Sequence, residues 1–520
     1  MIRRVTTVLF FVAYFIIGWI ITDDYGITYD EAIQRRHGLV SVEYVADKLG
    51  IPHGELTNGE AGFAPYGVLY QLVAIGLEQV FNTSDEPFEY YRIRHLLNYL
   101  LFGLSLFCFH RLLRLRYPGD SWLPLLGVLA LTLSPRIFGH AFFNPKDHIL
   151  LVAYVAATYT LFRYLKERRP AALALHVVVS ALALNTRPAA LIIVAVTVGV
   201  LVAEQLFTRP GNLRRLGVAA TYLVGSCLAA LPFFPYLWQD TGGRVASTMT
   251  EMASYGWAGE VLLFGVSYTA DTVPWFYIPV WIALTTPIVY LLFIAVGLGW
   301  SAWRLAPRLF SSKLWSGLPE TYDIIQFALA IGPLLAVIVL HANLYNGWRH
   351  LHFVYPALVY FLLLGFYRLY QLKPIIGSLC LGAAMLWTAS QMYRMHPHQQ
   401  VYFNELVRDE FILQRYDMDY WGASYRDALL QLTDQIPAGE TRRIRCVNWP
   451  CEDNVRSLPP GAREKLVLES KWHLADFVAT NFIYPTERDA IPTRGEYFSD
   501  PVVELYPEGN LVIGIYRVNQ

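Results

Sequence analysis

Residues 8–37 read VLFFVAYFIIGWIITDDYGITYDEAIQRRH, an apolar run that passes directly into a cluster of carboxylates. The apolar part, about residues 8–22, is the first of several runs in the length range that crosses a bilayer as a helix. A signal peptide would end in a small-residue cleavage site, whereas two aspartates and aromatic residues follow here. We therefore expect a retained first transmembrane helix that delivers carboxylates, among them Asp30 and Glu31, to the membrane surface.

The composition is typical of a membrane protein. Of the 520 residues, 55% are hydrophobic and only 16% are charged, and the mean hydropathy of +0.35 is too high for a soluble protein of this size. Lys and Arg together number 41, as do Asp and Glu, so the net charge does not indicate a nucleic-acid partner. The apolar runs predict about eleven transmembrane helices. They cover residues 8–22, 93–112, 121–138, 149–166, 171–186, 188–206, 216–236, 275–303, 324–342, 352–371 and 374–392.

Positive charge is distributed unequally between the two sides of this bundle. Every second connection is basic, and by the positive-inside rule these connections face the cytoplasm. The N-terminus is then cytoplasmic and the C-terminus extracytoplasmic, in a multi-pass protein of the inner (plasma) membrane. An interrupted apolar stretch, residues 63–81, is expected to lie in the outer interface, since a crossing there would invert every later loop. The basic clusters are Arg3 with Arg4 and residues 111–116, 163–169, 209–215, 304–313 and 368–373.

The character of the chain changes after residue 392. We divide it into a transmembrane domain, residues 1–392, and a soluble extracytoplasmic α/β domain, residues 393–520, which has the size of a small domain. Cys446 and Cys451 lie in this tail and could form a disulfide outside the cytoplasm. The predicted fold class is mainly α, a polytopic membrane helical bundle followed by a small α/β domain. Alternating patterns predict strands at 443–447, 477–483 and 511–518.

The first outer loop, residues 23–92, begins with an acidic helix. Asp30 to Lys48 has the apolar periodicity of an amphipathic helix, so Asp30 and His37 share one face and Glu31 points about 100° away. One carboxylate is expected to do chemistry while the other orients it. We assign Asp30, aided by Glu31, as the candidate catalytic base, and His37 as a candidate substrate-binding residue. The spacing leaves open that both acids simply cap the helix and complement its dipole.

Further outer loops contribute cations. Lys146 and Asp147 stand in the sequence FFNPKDH between two apolar spans, where ionisable residues are costly to place and often functional. Arg349 and His350 head a later span on the outer side, against the charge bias, and Arg187 lies in a tight outer turn. Lys146 and Arg349 suit a phosphate, and Asp147 suits a metal or the ordering of its loop. Helix capping by Asp147 and interfacial anchoring by Arg349 and His350 remain as alternatives.

Carboxylates and cations on four outer loops equip one membrane face to move a sugar from a lipid phosphate to a hydroxyl. A carboxylate takes the proton of the acceptor hydroxyl. Lys and Arg stabilise the charge that develops on the departing phosphate. The bilayer itself presents the lipid tail of the donor.

Several segments resemble the GT-C glycosyltransferases, in particular the protein O-mannosyltransferase and aminoarabinose transferase group (glycosyltransferase family 39-like). They are YDEA at 29–32, APY at 64–66, SPR at 134–136, NPKD at 144–147, GWRH at 347–350 and DYWG at 419–422. The resemblance covers most of the membrane part. It implies a GT-C-like fold, a polyprenyl-phosphate-linked sugar donor, transfer with inversion and Asp30 as the base. Tyr66 falls in one of these segments and is a further candidate for substrate binding.

The resemblance also bears on metals and on alternatives. The oligosaccharyltransferase branch uses a divalent metal with acids in its first two outer loops. Here the second loop has a single acid, Asp147, beside a lysine, so no metal or other cofactor is favoured.

The resemblance leaves the substrates open. The transferred sugar is a hexose or a pentose, and the acceptor is a lipid, a glycan or a protein; membrane lipid is the other expected partner. A lipid-linked-sugar transporter (flippase) and a non-catalytic binding subunit are the competing classes, but the gathering of ionisable residues on one face favours chemistry over a transport path.

Overall fold

The computed structural model describes residues 2–54, 56–57, 65–120, 122–208, 214–253, 257, 259–310, 314–407, 412–484, 487 and 498–518. Ala64 of the first loop, most of the 209–215 basic cluster and the end of the 304–313 cluster lie outside the described residues. The helices are α1 (Ile2–Ile21), α2 (Tyr29–Leu49), α3 (Leu69–Val80), α4 (Pro87–Arg116), α5 (Leu123–Thr132), α6 (Pro135–Phe143), α7 (Asp147–Glu167), α8 (Pro170–Thr186), α9 (Leu191–Ala203), α10 (Arg214–Ala230), α11 (Thr241–Ala253), α12 (Tyr277–Thr285), α13 (Ile288–Leu305), α14 (Leu318–Val339), α15 (Tyr355–Leu372), α16 (Pro374–Arg394), α17 (Ile412–Arg415), α18 (Tyr425–Gln435), α19 (Cys451–Arg456) and α20 (Pro460–Arg463).

The predicted membrane bundle is confirmed. Within the described residues, nine helices are long and apolar enough to cross a membrane. The bent pair of α5 and α6 makes a tenth segment, and α8 is a shorter apolar helix. Each of the eleven predicted spans therefore corresponds to apolar helix, and the chain is a multi-pass membrane protein. Arg187 ends α8 in an extended conformation before α9, so the predicted tight turn separates two helices.

Proline breaks two of the predicted spans. We predicted one helix over 275–303, but the chain is extended at Thr286, so α12 and α13 are separate helices. Pro287 has no N–H and disfavours helical geometry in the residue before it. The predicted span 121–138 is likewise divided, with α5 and α6 bent by 68° and Pro135 in the first turn of α6. Helix α6 ends at Phe143, and only residues 144–146 separate it from α7.

Helices α13 and α15 cross at two glycines. A Cβ atom on Gly297 would lie 1.9 Å from the carbonyl oxygen of Phe361, and one on Gly365 would lie 2.0 Å from that of Phe293. Only glycine lets two helix backbones approach so closely, a frequent arrangement between membrane helices. The crossing fixes α15, whose outer end continues from the short 3-10 helix Arg349–Val354.

A buried carboxylate joins the helices of the first long loop to α4. Glu78 of α3 is fully buried, and one of its oxygens accepts hydrogen bonds from Arg35 of α2 at 2.9 and 3.0 Å. Its other oxygen accepts from Arg94 Nε of α4 at 2.6 Å, and Arg94 also donates to Gln71. The predicted interfacial helix is α3, which at 12 residues is too short to span a bilayer. Helices α2, α3 and α4 thus form one packed unit.

The tail forms a mixed β-sheet, as its alternating patterns predict. Strands β3 (Arg442–Cys446), β4 (Leu466–Leu468) and β5 (Phe477–Thr480) are parallel, and β6 (Phe498–Leu505) and β7 (Ile513–Val518) add antiparallel strands in the order β4-β3-β5-β7-β6. A separate hairpin of β1 (Glu260–Leu263) and β2 (Val266–Thr269) turns at Phe264 and Gly265, both with positive φ, as a two-residue hairpin turn requires. Cys446 and Cys451 form a disulfide between β3 and α19. The division of the chain after residue 392 stays a prediction.

Substituting Glu78→Gln tests the buried cluster. Loss of the carboxylate charge leaves the guanidinium groups of Arg35 and Arg94 uncompensated in a buried setting, which destabilises a protein by about 3–5 kcal/mol. We expect a clearly lower thermal unfolding midpoint of the detergent-solubilised protein. Glu167→Gln is the matched control, because Glu167 pairs with Arg163 on the surface, and its midpoint should equal that of the unmodified protein. Equal midpoints for both variants would contradict the role of Glu78.

Candidate functional site

Asp147 is the centre of an ion cluster between three segments that connect helices. One carboxylate oxygen lies 2.5 Å from Arg187 Nη2 and the other accepts a hydrogen bond from Arg349 Nη1 at 2.8 Å. Asp147 and Arg349 are almost fully buried. The side-chain oxygen of Asn144 accepts hydrogen bonds from the backbone N–H groups of Lys146 and Asp147, which shapes the turn that starts α7. The second loop, the α8–α9 turn and the start of the Arg349–Val354 helix therefore meet at one carboxylate.

Asp30 stands at the edge of this cluster. Its Oδ2 atom lies 3.7 Å from Arg349 Nη1, and its side chain is 19% exposed, against 1% for Asp147. Asp30 is in the first turn of α2, after the cap residue Thr28. A carboxylate that is partly open to solvent can be reached by a substrate, which a base requires.

Glu31 is engaged elsewhere. Its Oε2 accepts from the backbone N–H of Thr28 at 2.8 Å, which is the reciprocal bond of a capping box, and its Oε1 lies 2.9 Å from His95 Nε2. The side chain is 2% exposed. The Thr28 hydroxyl lies 3.1 Å from the carbonyl oxygen of Phe143, so this cap also ties α2 to the second loop. The alternative that these acids cap the helix therefore applies to Glu31, whereas the Asp30 side chain remains available at the ion cluster.

Lys146, Tyr66 and His37 form a second part of the site. The Lys146 ammonium lies 3.9 Å from the centre of the Tyr66 ring. The Tyr66 hydroxyl accepts from Gln34 at 2.6 Å and lies 3.0 Å from His37 Nδ1. Burial, followed by the positive charge of Arg187, lowers the pKa of Lys146 to about 7. Burial and the Lys146 charge lower the pKa of His37 to about 4, so this histidine is neutral at neutral pH.

Aromatic rings surround the Arg349 guanidinium. Its carbon lies 4.7 Å from the Trp421 ring centre and 5.0 Å from that of Tyr345. His350 packs edge-on against Tyr345 at 4.6 Å, which places it beside the cluster rather than at its centre. Rings on two sides restrict the rotation of the guanidinium and keep it aimed at the two carboxylates. The structure thus gathers the predicted residues, with Glu31 in a capping position and His350 at the border.

Tail residues that the sequence analysis gave no role hold the first loop. Asn454 of α19 accepts from the Ile27 N–H and donates to the Ile27 carbonyl, both at 2.9 Å. The Tyr29 N–H donates to the Trp421 carbonyl at 3.0 Å, and Arg426 Nε donates to the Asp23 carbonyl at 2.7 Å. These bonds hold residues 23–29, the seven residues before Asp30. Of the tail residues that make these bonds, only Trp421 could be singled out from the sequence, because it belongs to the DYWG segment. An asparagine in a polar tail carries no such signal.

The described residues do not bring three or more His, Cys, Asp or Glu side chains into a group that could hold a metal ion. The cluster around Asp147 consists instead of carboxylates paired with guanidinium groups. The expectation from the sequence, that no metal is favoured, therefore stays a prediction. What the arrangement offers chemically is a solvent-accessible carboxylate beside a set of fixed cations.

Substituting Asn454→Ala tests whether the tail positions the first loop. The change leaves the N–H and carbonyl of Ile27 without these partners, and each buried orphan group costs about 1–3 kcal/mol. We expect a thermal unfolding midpoint several degrees below that of the unmodified protein, measured in detergent. Asn510→Ala is the matched control in the tail, because its amide donates to Glu508 within an exposed turn. If the Asn454 variant unfolds at the same temperature as the control, the tail does not hold this loop.

Comparison with solved structures identifies the fold. The chain superposes on the apo crystal structure of the Archaeoglobus fulgidus oligosaccharyltransferase with a TM-score of 0.50 and 12% sequence identity, over 98% of this chain and 74% of that chain. ArnT from Cupriavidus metallidurans bound to undecaprenyl phosphate is also similar, with a TM-score of 0.48, 14% identity and 98% of each chain covered. No protein-family model matches the sequence, and no curated protein matches it significantly. The chain has the GT-C-like fold of membrane glycosyltransferases, which confirms the fold that the sequence resemblance implied.

Proposed function

We propose that this protein is an integral membrane glycosyltransferase that moves a sugar from a polyprenyl-phosphate donor to a hydroxyl acceptor with inversion. The single observation that carries the proposal is the partly exposed Asp30 carboxylate, 3.7 Å from Arg349, at the edge of a buried cluster of cations. That cluster lies where three outer segments meet, at the end of apolar helices. A lipid-anchored donor would enter from the bilayer with its phosphate at this level.

Asp30 is the proposed base. It takes the acceptor hydroxyl proton as the acceptor oxygen forms a bond to the anomeric carbon of the sugar, and the bond from that carbon to the phosphate oxygen breaks. A single displacement of this kind inverts the anomeric configuration. Glu31 acts indirectly, since its bonds to the Thr28 N–H and to His95 fix the start of α2. The alternative of Glu31 as the base is disfavoured because both of its oxygens are bonded and buried.

The cations are proposed to hold the leaving phosphate. Lys146, Arg187 and Arg349 face the carboxylates of Asp30 and Asp147, so one positive charge is in excess when Lys146 is protonated. The donor phosphodiester carries one negative charge and balances this excess. A second negative charge develops on the phosphate as the sugar departs, and fixed cations in a site of low dielectric stabilise it. Tyr66 and His37 support this side of the site by packing against and bonding around Lys146.

The proposed orientation places this chemistry on the extracytoplasmic face, with the N-terminus in the cytoplasm. The basic connections on the opposite side support it through the positive-inside rule. The Cys446–Cys451 disulfide in the tail also supports it, because disulfides persist outside the cytoplasm.

Substituting Asp30→Asn is the first test of the function. The amide keeps the shape of the side chain but cannot accept the proton, so we expect transfer to fall by roughly 10²–10⁴-fold. The assay uses purified protein, a panel of radiolabelled polyprenyl-phosphate sugars and a membrane extract as acceptor, with donor binding measured in parallel. Asp47→Asn, which changes an exposed carboxylate of the same helix, should retain full activity. Turnover retained by the Asp30 variant would refute its role as the base, and donor binding without transfer by the unmodified protein would favour a binding subunit.

The pH dependence of donor use tests Lys146. Because its pKa is lowered to about 7, the ammonium is charged below pH 7 and loses its charge as the pH rises through that value. We expect kcat/KM for the donor to fall between pH 7 and 9, by up to roughly tenfold per pH unit. Lys146→Arg keeps the charge throughout this range and should remove the fall, since arginine does not deprotonate there. The same fall in both proteins would show that Lys146 is not the titrating group.

A further inference from the structure

Two aromatic side chains next to the candidate base are exposed. Tyr29 and Trp449 are 45% and 46% exposed, although both belong to residue types that proteins normally bury in large part. Their ring centres lie 6.4 Å apart with the planes at 70°. The chemistry proposed above uses neither ring. We refer to the two residues as the aromatic pair.

The aromatic pair is fixed relative to Asp30. Tyr29 directly precedes Asp30 in the first turn of α2, and its backbone N–H is bonded to Trp421. Trp449 lies in the short loop that the Cys446–Cys451 disulfide closes. The helix that follows this loop carries Asn454, which holds Ile27. Both rings are therefore mounted on the elements that position the base, and a ligand that contacts them is held at a set distance from Asp30.

The aromatic pair lies on a different side of α2 from the cations. Tyr29, Ile33 and Arg36 recur at i, i+4 and i+7 and share one face of the helix. Asp30 and His37 lie about 100° further around, toward Lys146 and Tyr66. Asp30 follows Tyr29 in sequence and lies 3.7 Å from Arg349, so it adjoins both the exposed aromatic side and the proposed phosphate side. A displacement reaction needs both sides, because the base must touch the acceptor while the phosphate leaves in the opposite direction.

We infer that the aromatic pair is the acceptor subsite and that the acceptor is a saccharide; this inference rests on the proposed function. A pyranose ring has an apolar face of C–H groups that packs on a flat aromatic ring, and hydroxyls at its rim that bond to charged groups such as the exposed Arg36. The two rings contact each other edge to face, and their exposed faces form a platform on which one sugar packs. The hydroxyl of the bound sugar that faces Asp30 gives its proton to that carboxylate and bonds to the anomeric carbon, as polyprenyl phosphate leaves.

A polypeptide acceptor fits this surface less well. One recurring mode of recognition for extended peptides uses main-chain hydrogen bonds along the edge of a sheet, with side-chain pockets at alternate positions. The residues next to Asp30 belong to a helix and to a short loop, not to a strand. They offer ring faces and a guanidinium group, which match the surface of a carbohydrate.

Transfer assays with Trp449→Ala test the inference. The acceptors are a panel of purified neutral and amino-sugar oligosaccharides, with a Ser/Thr-containing peptide and a lipid extract as separate arms. We expect an oligosaccharide to be glycosylated, with its KM raised about tenfold or more in Trp449→Ala and largely restored in Trp449→Phe. The KM for the donor should not change. Trp472→Ala is the matched control, because Trp472 is an equally exposed tryptophan of the tail (45%) outside the aromatic pair.

The outcomes separate the subsite from the proposed function. Transfer to a saccharide with an unchanged acceptor KM in Trp449→Ala would overturn the subsite and leave the function standing, as would transfer only to the peptide or only to lipid. If the unmodified protein transfers to none of these acceptors, saturation-transfer NMR with the same oligosaccharides decides. Binding that Trp449→Ala loses and Trp472→Ala keeps would support a saccharide subsite without the proposed turnover. Absence of binding to the unmodified protein would overturn the subsite as well.

Discussion

The pairing of the buried Asp147 carboxylate with two arginines is the interaction on which this face of the helical bundle depends. Charges are costly to bury, and two guanidinium groups, Arg187 and Arg349, could not stand together in this setting without a carboxylate between them. Each arginine comes from a different segment, so pairing to Asp147 forces three connections to meet at one point. The same pairing leaves Arg349 within reach of Asp30. A single ion cluster therefore determines both how these loops pack and the charge that they present next to Asp30.

The two neighbouring acids at the start of α2, Asp30 and Glu31, have different roles in the fold. Glu31 closes a capping box and bonds to His95, so it stabilises the helix start. Asp30, one residue earlier, points toward the cluster and keeps contact with solvent. Because successive helical side chains diverge by about 100°, the two carboxylates cannot share one role. The tail supports this arrangement, because Asn454 and Trp421 form hydrogen bonds with the backbone of the residues just before Asp30.

Much of the fold could be predicted from residue patterns. Apolar runs of bilayer length mark every span, and the alternating tail patterns mark β3, β5 and β7. The errors arise where a local feature interrupts a run of constant hydropathy. Pro287 divides one predicted span into α12 and α13. Hydropathy does not reveal this break, because it is averaged over a window of residues, whereas the missing N–H of proline acts at a single residue. Pro135 acts similarly between α5 and α6.

By itself the sequence determined that the chain crosses a membrane about eleven times, that acids and cations gather in particular loops between the spans, and that Asp30 and Glu31 face different ways. These properties depend on transfer free energy, charge bias and helical period, all of which are local in sequence. Only the tertiary structure decided which charges pair, since Asp147 meets an arginine 40 and another 202 residues away. It also decided that the tail holds the first loop, because Asn454 and Ile27 are 427 residues apart. Such contacts follow from the packing of the whole chain, and no local pattern records them.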